Sequence, residues 1–264
     1  MKLDSYALAE ATVLSLKNAI RLHLDSYFLY KNKSYPTAYY ISIMALEEIG
    51  KMKILDKVCF FNDCGARDKA LYDWFRDTFY HKPKQMEAID WGRYIKRNEK
   101  TGKIISITER YKHIFDGDLN KRKENSIYVG ITKGEEGESI VNDPTYYGKD
   151  DAIKQMTITH EVILRELLYV KKSGFYYDTE ELTLYIYKHG MKLYNKLLKL
   201  KIPISVDVRL ELMALEKEKT IIKSNSPFAD WLILLIRSYI KKSVGCPMCS
   251  ATQDKGAEKH LFSL

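Results

Sequence analysis

The sequence predicts an all-α protein, and two kinds of observation predict it. Between residues 5 and 30, apolar side chains recur every three or four positions, as they do on one face of a helix. Helix start signals also recur. Ser34 precedes Pro36 in the way that an N-cap precedes a first-turn proline, and Asp178 is followed three residues later by Glu181, as in a capping box.

Three helices are predicted in the first part of the chain: Ser5 to Tyr30, Ser34 to Leu55, and Asp68 to His81. Pro83 disfavours helical geometry at Lys82, so the third helix should end or kink there. A further helical segment is predicted from about Lys84 to Arg97.

The middle of the chain has a weaker pattern. Extended segments are predicted at 103–107 and 126–131, with a loop at 134–138. A helix from about Thr108 to Asn125 should be interrupted at Asp116-Gly117-Asp118. Helix returns from Asp150 to Val170.

The last third is again helical, with helices expected over 178–203, 206–219 and 226–242, followed by a polar tail. Lys171-Lys172-Ser173-Gly174 is the clearest candidate for a boundary. The sequence therefore predicts a helical domain over residues 1–171 and a helical extension over 172–264.

Composition limits the possible function classes. Of 264 residues, 45% are hydrophobic and 30% are charged, which is typical of a globular protein. The 43 Lys and Arg residues exceed the 35 Asp and Glu residues, and a net charge of +8 favours polyanionic partners. The N-terminus lacks an apolar signal core, and the longest apolar run, Trp231 to Ile236, is too short to span a membrane. With four cysteines in so long a chain, a reducing cytoplasm is the expected location.

Most cofactor chemistry lacks its motif. The chain has no GxxxxGK[ST], GxGxxG or GxSxG sequence, and no Glu-x-x-His pair for a di-iron bundle. Cys246 and Cys249 have the spacing of half a zinc site, which Cys59, Cys64 or His260 would have to complete. The alternative is a polar tail with two free thiols, and no cofactor is expected.

The segment Arg76-Asp77-Thr78-Phe79-Tyr80-His81 combines a permanent cation, a carboxylate and an imidazole. Arginine can hold phosphate oxygens and histidine can move a proton near neutral pH, so these groups suit metal-free cleavage of RNA. On one helix Asp77 and His81 share a face, whereas Arg76 lies about 140° from His81. A second subunit could therefore supply the arginine. A solvated helix end has the same spacing.

Two carboxylates in the second helix are further candidates. Glu48 is interpreted as lying on the apolar face with Ala45, Ile49 and Met52, where an unpaired carboxylate is costly, so it should pair with Arg76 or another base or else extend out to solvent. Glu47 is interpreted as forming a surface pair with Lys51.

Basic residues are interleaved with aromatic ones after His81. Such a pattern suits a groove that follows a nucleic-acid backbone, although a solvated helix face gives nearly the same pattern. The candidates for RNA binding are Lys82, Lys84, Arg93, Lys96, Arg97 and Arg122.

Three segments together resemble the AbiV-type abortive infection family of the HEPN superfamily. They are Ala38 to Lys51, ending Leu46-Glu47-Glu48-Ile49-Gly50-Lys51; Phe75-Arg76-Asp77 with His81-Lys82-Pro83-Lys84; and Arg122 to Gly130, ending Ile127-Tyr128-Val129-Gly130. The resemblance covers about residues 5 to 170 and implies an up-down helical bundle with insertions, followed by an additional C-terminal helical region.

The resemblance also implies an activity. In HEPN proteins an arginine followed after four to six residues by histidine marks metal-independent ribonucleases, which usually dimerise so that two motifs face one cleft. Arg76 and His81 match this spacing. His81 would then move the proton, Arg76 would stabilise the phosphorane, and Asp77 and Glu48 would orient them. The expected partners are a second copy of the chain and RNA. The alternative is a non-catalytic defence or sensor protein that binds a phage protein or the translation machinery.

Overall fold

The computed structural model of the chain describes residues 5–59, 69, 81–90, 95–97, 104–133, 138–173 and 180–223. The α-helices are α1 (Ser5–Lys31), α2 (Tyr35–Cys59), α3 (His81–Ala88), α4 (Lys112–Phe115), α5 (Asp118–Asn125), α6 (Lys149–Ser173), α7 (Glu180–Leu198) and α8 (Val206–Lys223). The strands are β1 (Ile95–Arg97), β2 (Ile104–Ile107), β3 (Gly130–Lys133) and β4 (Ser139–Asn142). Single 3-10 turns occupy Glu109–Tyr111 and Pro144–Tyr146. The all-α class is confirmed.

Helices α1, α2, α6 and α7 surround the core. Helix α2 packs against α1, α3 and α6, while α7 packs against α1 and α6. A short turn joins α1 to α2, with Lys33 in the left-handed region at φ 64°. The side chains between the helices include the fully buried Leu16, Ile43, Leu46, Ile49, Met52, Met156, Ile163 and Leu164.

Helix α2 is buried on several faces. Its buried residues include the apolar Ile43, Leu46 and Ile49, but also the charged Glu47 and Lys53. A charged side chain in such a position needs partners, because burying an unpaired charge is very unfavourable. The face of α2 that carries these charges determines where the candidate site lies.

Both sheets are two-stranded antiparallel hairpins, β1 with β2 and β3 with β4. Strand β2 confirms the extended segment predicted near 103–107. The prediction of helix as far as Arg97 was wrong, since residues 95–97 form β1 and pair with β2. Ile95 is β-branched and favours a strand, but one such residue in a strand of three does not outweigh the helical pattern that precedes it.

Helix α3 corrects a second expectation. The helical segment predicted from about Lys84 begins three residues earlier, at His81, so helical geometry includes Lys82 and Pro83. Proline is tolerated in the first turn of a helix, where its missing N–H donor has no intrahelical partner to lose. Of residues 68–80, only Lys69 is among those the structure describes, and it is helical.

The chain divides into two compact units, residues 1–216 and residues 217–264. In the first unit, α7 and the start of α8 confirm the helices predicted for the last third. In the second unit only residues 217–223, the end of α8, are described, so the predicted helix at 226–242 and the tail lie outside the described residues. The predicted domain boundary near 171 stays a prediction. Among the described helices, none combines the length and apolar character needed to cross a membrane.

A pair of histidines is buried in the core. His23 on α1 and His160 on α6 are both fully buried, and the distance from Nε2 of His23 to Nδ1 of His160 is 2.9 Å. Their rings are stacked, with centroids 5.1 Å apart. Burial, together with the charge of His160, holds the pKa of His23 well below 6.5, and burial lowers the pKa of His160 to about 4.

We expect this pair to make the protein sensitive to mild acid. Because both folded-state pKa values lie below the unfolded value, stability is fully present above about pH 6.5 and falls as the pH drops, with His160 alone costing about 3 kcal/mol by pH 4. Urea unfolding at pH 7 and pH 5 should show a smaller loss of stability in His160→Gln than in the wild type. Equal losses in the two proteins would contradict this expectation.

Candidate active site

Helix α3 lies along one face of α2, and three α2 residues at a spacing of three hold it. Glu47 contacts the first turns of α3, Gly50 contacts its middle, and Lys53 contacts its end. Residues three apart are neighbours on the surface of a helix, so one strip of α2 presents all three residues to α3. The position of His81, the first residue of α3, therefore depends on α2.

Gly50 is the point of closest approach. A Cβ atom at this position would lie 1.8 Å from the carbonyl oxygen of Lys84 and 2.5 Å from its carbonyl carbon. Both atoms belong to the backbone of α3, so no side-chain rotation could relieve the overlap. Only glycine allows the two helix backbones to come so close.

Lys53 holds the far end of α3. Its Nζ donates hydrogen bonds to the carbonyl oxygen of Ala88 at 3.3 Å and to Oδ1 of Asp90 at 2.8 Å. It also lies 2.6 Å from Oε1 of Glu166 on α6. Burial by itself would lower the pKa of Lys53, but the Glu166 and Asp90 carboxylates outweigh it and hold this pKa above its ordinary value.

Glu47 is the centre of a cluster at the start of α3. Its Oε1 accepts hydrogen bonds from Nε2 of Gln85 at 2.8 Å and from Nζ of Lys123 at 3.0 Å. Its Oε2 lies 2.8 Å from Nδ1 of His81 and 3.9 Å from Nζ of Lys84. Lys123 comes from α5, so three helices meet here.

The electrostatics of the cluster keep Glu47 ionised. The side chain of Glu47 is only 3% exposed, and burial raises its pKa. The hydrogen bond with His81 and the charge of Lys123 outweigh burial, so the pKa of Glu47 is lowered overall. A carboxylate in this state can orient an imidazole and stabilise it when it is protonated.

His81 is the member of the cluster that is open to solvent. Its side chain is 34% exposed, against 3% for Glu47 and 4% for Lys123. Nδ1 faces the buried carboxylate, which fixes the ring. An exposed imidazole oriented by a buried carboxylate is suited to general acid–base catalysis.

The sequence placed Glu48 inward and Glu47 at the surface, and the structure shows the reverse. Glu48 is half-buried and pairs with Lys51 at 3.7 Å, whereas Glu47 is buried beside His81. Because α2 is buried on several faces, its apolar positions do not identify a single inward face. The orienting role predicted for Glu48 has no contact with His81 to support it.

The other predicted site residues fall into two groups. Arg76, Asp77 and Arg93 lie outside the described residues, as do Cys246 and Cys249. Lys84 belongs to the Glu47 cluster, Lys82 is exposed near the start of α3, and Lys96 and Arg97 lie on strand β1.

Arg122 lines a separate cleft of about 530 Å³ between α2, α5 and α6. Its Nε donates to Oδ2 of Asp118 at 2.5 Å, and it hydrogen-bonds Tyr39, whose pKa is raised by burial. Arg110, also in the lining, is paired with Glu161 at 2.7 Å. The guanidinium groups of this cleft are thus already partnered by carboxylates.

Three residues of the site were missed from the sequence. Gln85 and Lys123 are buried against Glu47. Tyr40 is the third: its pKa is raised mainly by partial burial and further by the nearby Tyr128 and Glu47 side chains. Gln85 lies four residues after His81 and could have been found as its helical neighbour. No local signal pointed to the contacts of Lys123 with His81 and Glu47, because these partners are 42 and 76 residues away in the chain.

No group of three or more His, Cys, Asp or Glu residues suited to hold a metal ion occurs within the part of the chain that the structure describes. Cys246 and Cys249 remain weak zinc candidates from the sequence.

A HEPN family model, AbiV, matches residues 7–165 of this chain. The match includes Glu47, His81 and Lys123, and it covers more than half of the sequence. Comparisons with curated proteins and with solved structures gave no match.

Proposed function

Because the chain belongs to the AbiV family of HEPN proteins, a family of abortive-infection proteins, we propose that it is an antiphage endoribonuclease that cuts RNA without a metal ion. One observation carries the proposal: the half-exposed His81 imidazole lies 2.8 Å from the buried, ionised carboxylate of Glu47. The net charge of +8 is suited to a polyanionic substrate.

In the proposed reaction His81 acts first as a base and then as an acid. Nε2 of His81 takes the proton of a ribose 2′-OH as that oxygen attacks the adjacent phosphorus, and the same proton then passes to the departing 5′ oxygen. Glu47 accepts a hydrogen bond from Nδ1–H and stabilises the imidazolium, and it thereby takes the orienting role that the sequence predicted for Glu48. Arg76 stabilises the negative charge of the phosphorane, and Asp77 orients the catalytic side chains.

RNA cleavage by purified protein in the presence of EDTA tests the proposal. Proton transfer by a positioned side chain contributes about 10²- to 10⁴-fold, so His81→Ala and Arg76→Ala should each lose activity by at least about 100-fold. Glu47→Gln should lose about tenfold or more, because it weakens a hydrogen bond to a charged group. Glu48→Gln, its matched control, should retain activity. Unchanged cleavage in both His81→Ala and Arg76→Ala would refute the ribonuclease proposal.

We also propose that two copies form the active site. On one ideal helix Arg76 and His81 would lie about 140° apart, and in a shared cleft a second chain would supply the arginine. Lys82, Lys84, Arg93, Lys96 and Arg97 would then follow the RNA backbone from one copy to the next. Mixing His81→Ala with Arg76→Ala protein should restore part of the activity if each cleft uses residues from both chains.

The exposed side chains of the β3–β4 hairpin favour a second candidate function, in which the protein binds a phage protein or part of the translation machinery. Ile131 and Val141, paired across the hairpin, are 73% and 58% exposed. Exposed apolar patches of this kind mark interaction surfaces. Phage protection that persists undiminished in His81→Ala would favour this binding function over catalysis.

A further inference from the structure

Two side chains of opposite charge contact the same nitrogen of His81. Oε2 of Glu47 lies 2.8 Å from Nδ1, and Nζ of Lys123 lies 2.9 Å from the same atom. Lys123 also donates to Oε1 of Glu47, so the three groups form a closed triangle.

The two contacts with Nδ1 exclude each other. A carboxylate only accepts hydrogen bonds, so the contact with Glu47 requires a proton on Nδ1. An ammonium only donates, so the contact with Lys123 requires a lone pair there. A neutral imidazole carries one ring proton, and the two contacts therefore correspond to its two tautomers.

We propose that Lys123 is a positioning residue that competes with Glu47 for Nδ1 and so sets the tautomer of His81. When Nδ1–H donates to Glu47, the lone pair of Nε2 is free. When Lys123 donates to Nδ1, the proton lies on Nε2.

The surroundings fit this role. Lys123 is 4% exposed, and its ammonium is held within reach of both partners instead of extending into solvent, as lysines usually do. Gln85 binds the same Oε1 atom as Lys123, which leaves Oε2 for His81. Nζ of Lys84 lies 3.9 Å from Oε2 and adds a second positive charge near the Glu47 carboxylate.

The consequence for cleavage rests on the proposed ribonuclease function. Only the tautomer with a free Nε2 lone pair can take the 2′-OH proton. Lys123 would therefore keep a fraction of the resting enzyme unable to act as a base, while Glu47 keeps the remainder competent.

Ring ¹⁵N–¹H correlation spectra of the full chain at neutral pH test the tautomer directly, with His81→Ala identifying the His81 signals. Relative to the wild type, Lys123→Met should raise the ratio of Nδ1–H to Nε2–H by about tenfold, the equivalent of one charge-assisted hydrogen bond. Lys123→Arg retains a cationic donor and should keep the wild-type ratio. Lys121→Met, the matched control on the exposed side of α5, should also leave the ratio unchanged.

An unchanged ratio in folded Lys123→Met would overturn the proposal. If Lys123→Met does not fold, Glu47→Gln decides, since it must shift the ratio toward Nε2–H, and no shift would be equally fatal. A shifted ratio in a protein that cleaves no RNA would support the role of Lys123 while refuting the ribonuclease function. RNA cleavage by the wild type, together with an unchanged tautomer ratio in Lys123→Met, would support the ribonuclease function and refute the role of Lys123.

Discussion

Gly50→Ala should lose more than about 3 kcal/mol of stability, at the upper end of what overpacking a core costs. The added methyl group would lie 1.8 Å from the Lys84 carbonyl oxygen, so α2 and α3 would have to separate. Separation would also break the contact between Glu47 and His81, three residues away on the same face of α2. Urea unfolding measures the first effect and RNA cleavage the second.

Gly130→Ala is the matched control, because a Cβ atom there meets nothing within 4 Å and the backbone has no positive φ. It should change stability by less than about 0.5 kcal/mol. Similar unfolding curves for the two variants would show that α2 and α3 can move apart at little cost.

Lys53→Met should destabilise the protein by about 3–5 kcal/mol, because it removes the cation from the buried ion pair that Lys53 forms with Glu166. Lys53 and Glu166 are 5% and 3% exposed, and their atoms lie 2.6 Å apart. The same substitution removes the hydrogen bonds that hold the end of α3 at Ala88 and Asp90. Loss of stability should therefore be accompanied by weaker amide protection in α3.

Lys57→Met tests the same chemistry at the surface. Lys57 lies one turn further along α2 and pairs with Glu87, but its side chain is 64% exposed. An exposed ion pair contributes about 1 kcal/mol or less. Thermal melts of the two variants should differ clearly, and equal melting temperatures would argue that the Lys53 pair is no more important than a surface pair.

Much of the helical framework could be predicted from the sequence, because helical period and capping signals are local. The bounds of α1, α2 and α6 agree with the predicted ones to within a few residues, and the interruption at Asp116-Gly117 separates α4 from α5. Strand β1 was missed because it is three residues long, and its pairing with β2 is a contact between segments that no local period encodes.

The candidate site was predictable only in part, for a related reason. His81 was found from its chemistry. Glu47 was exchanged for Glu48 because an apolar stripe on a helix buried on several faces does not identify which carboxylate points to a neighbouring helix. The spacing of Glu47, Gly50 and Lys53 by three marks the strip of α2 that contacts α3. Its meaning depends on knowing that α3 lies along this face.

Arg122 and Lys123 are adjacent in α5 but serve different places, since consecutive residues on a helix point about 100° apart. Arg122 lines the cleft beside Tyr39, and Lys123 reaches the Glu47 carboxylate. Both residues lie on the same eight-residue helix, so a rotation of α5 that moves one side chain also moves the other. A substitution that rotates α5 to improve the position of Arg122 in the cleft will therefore move Lys123 away from Glu47.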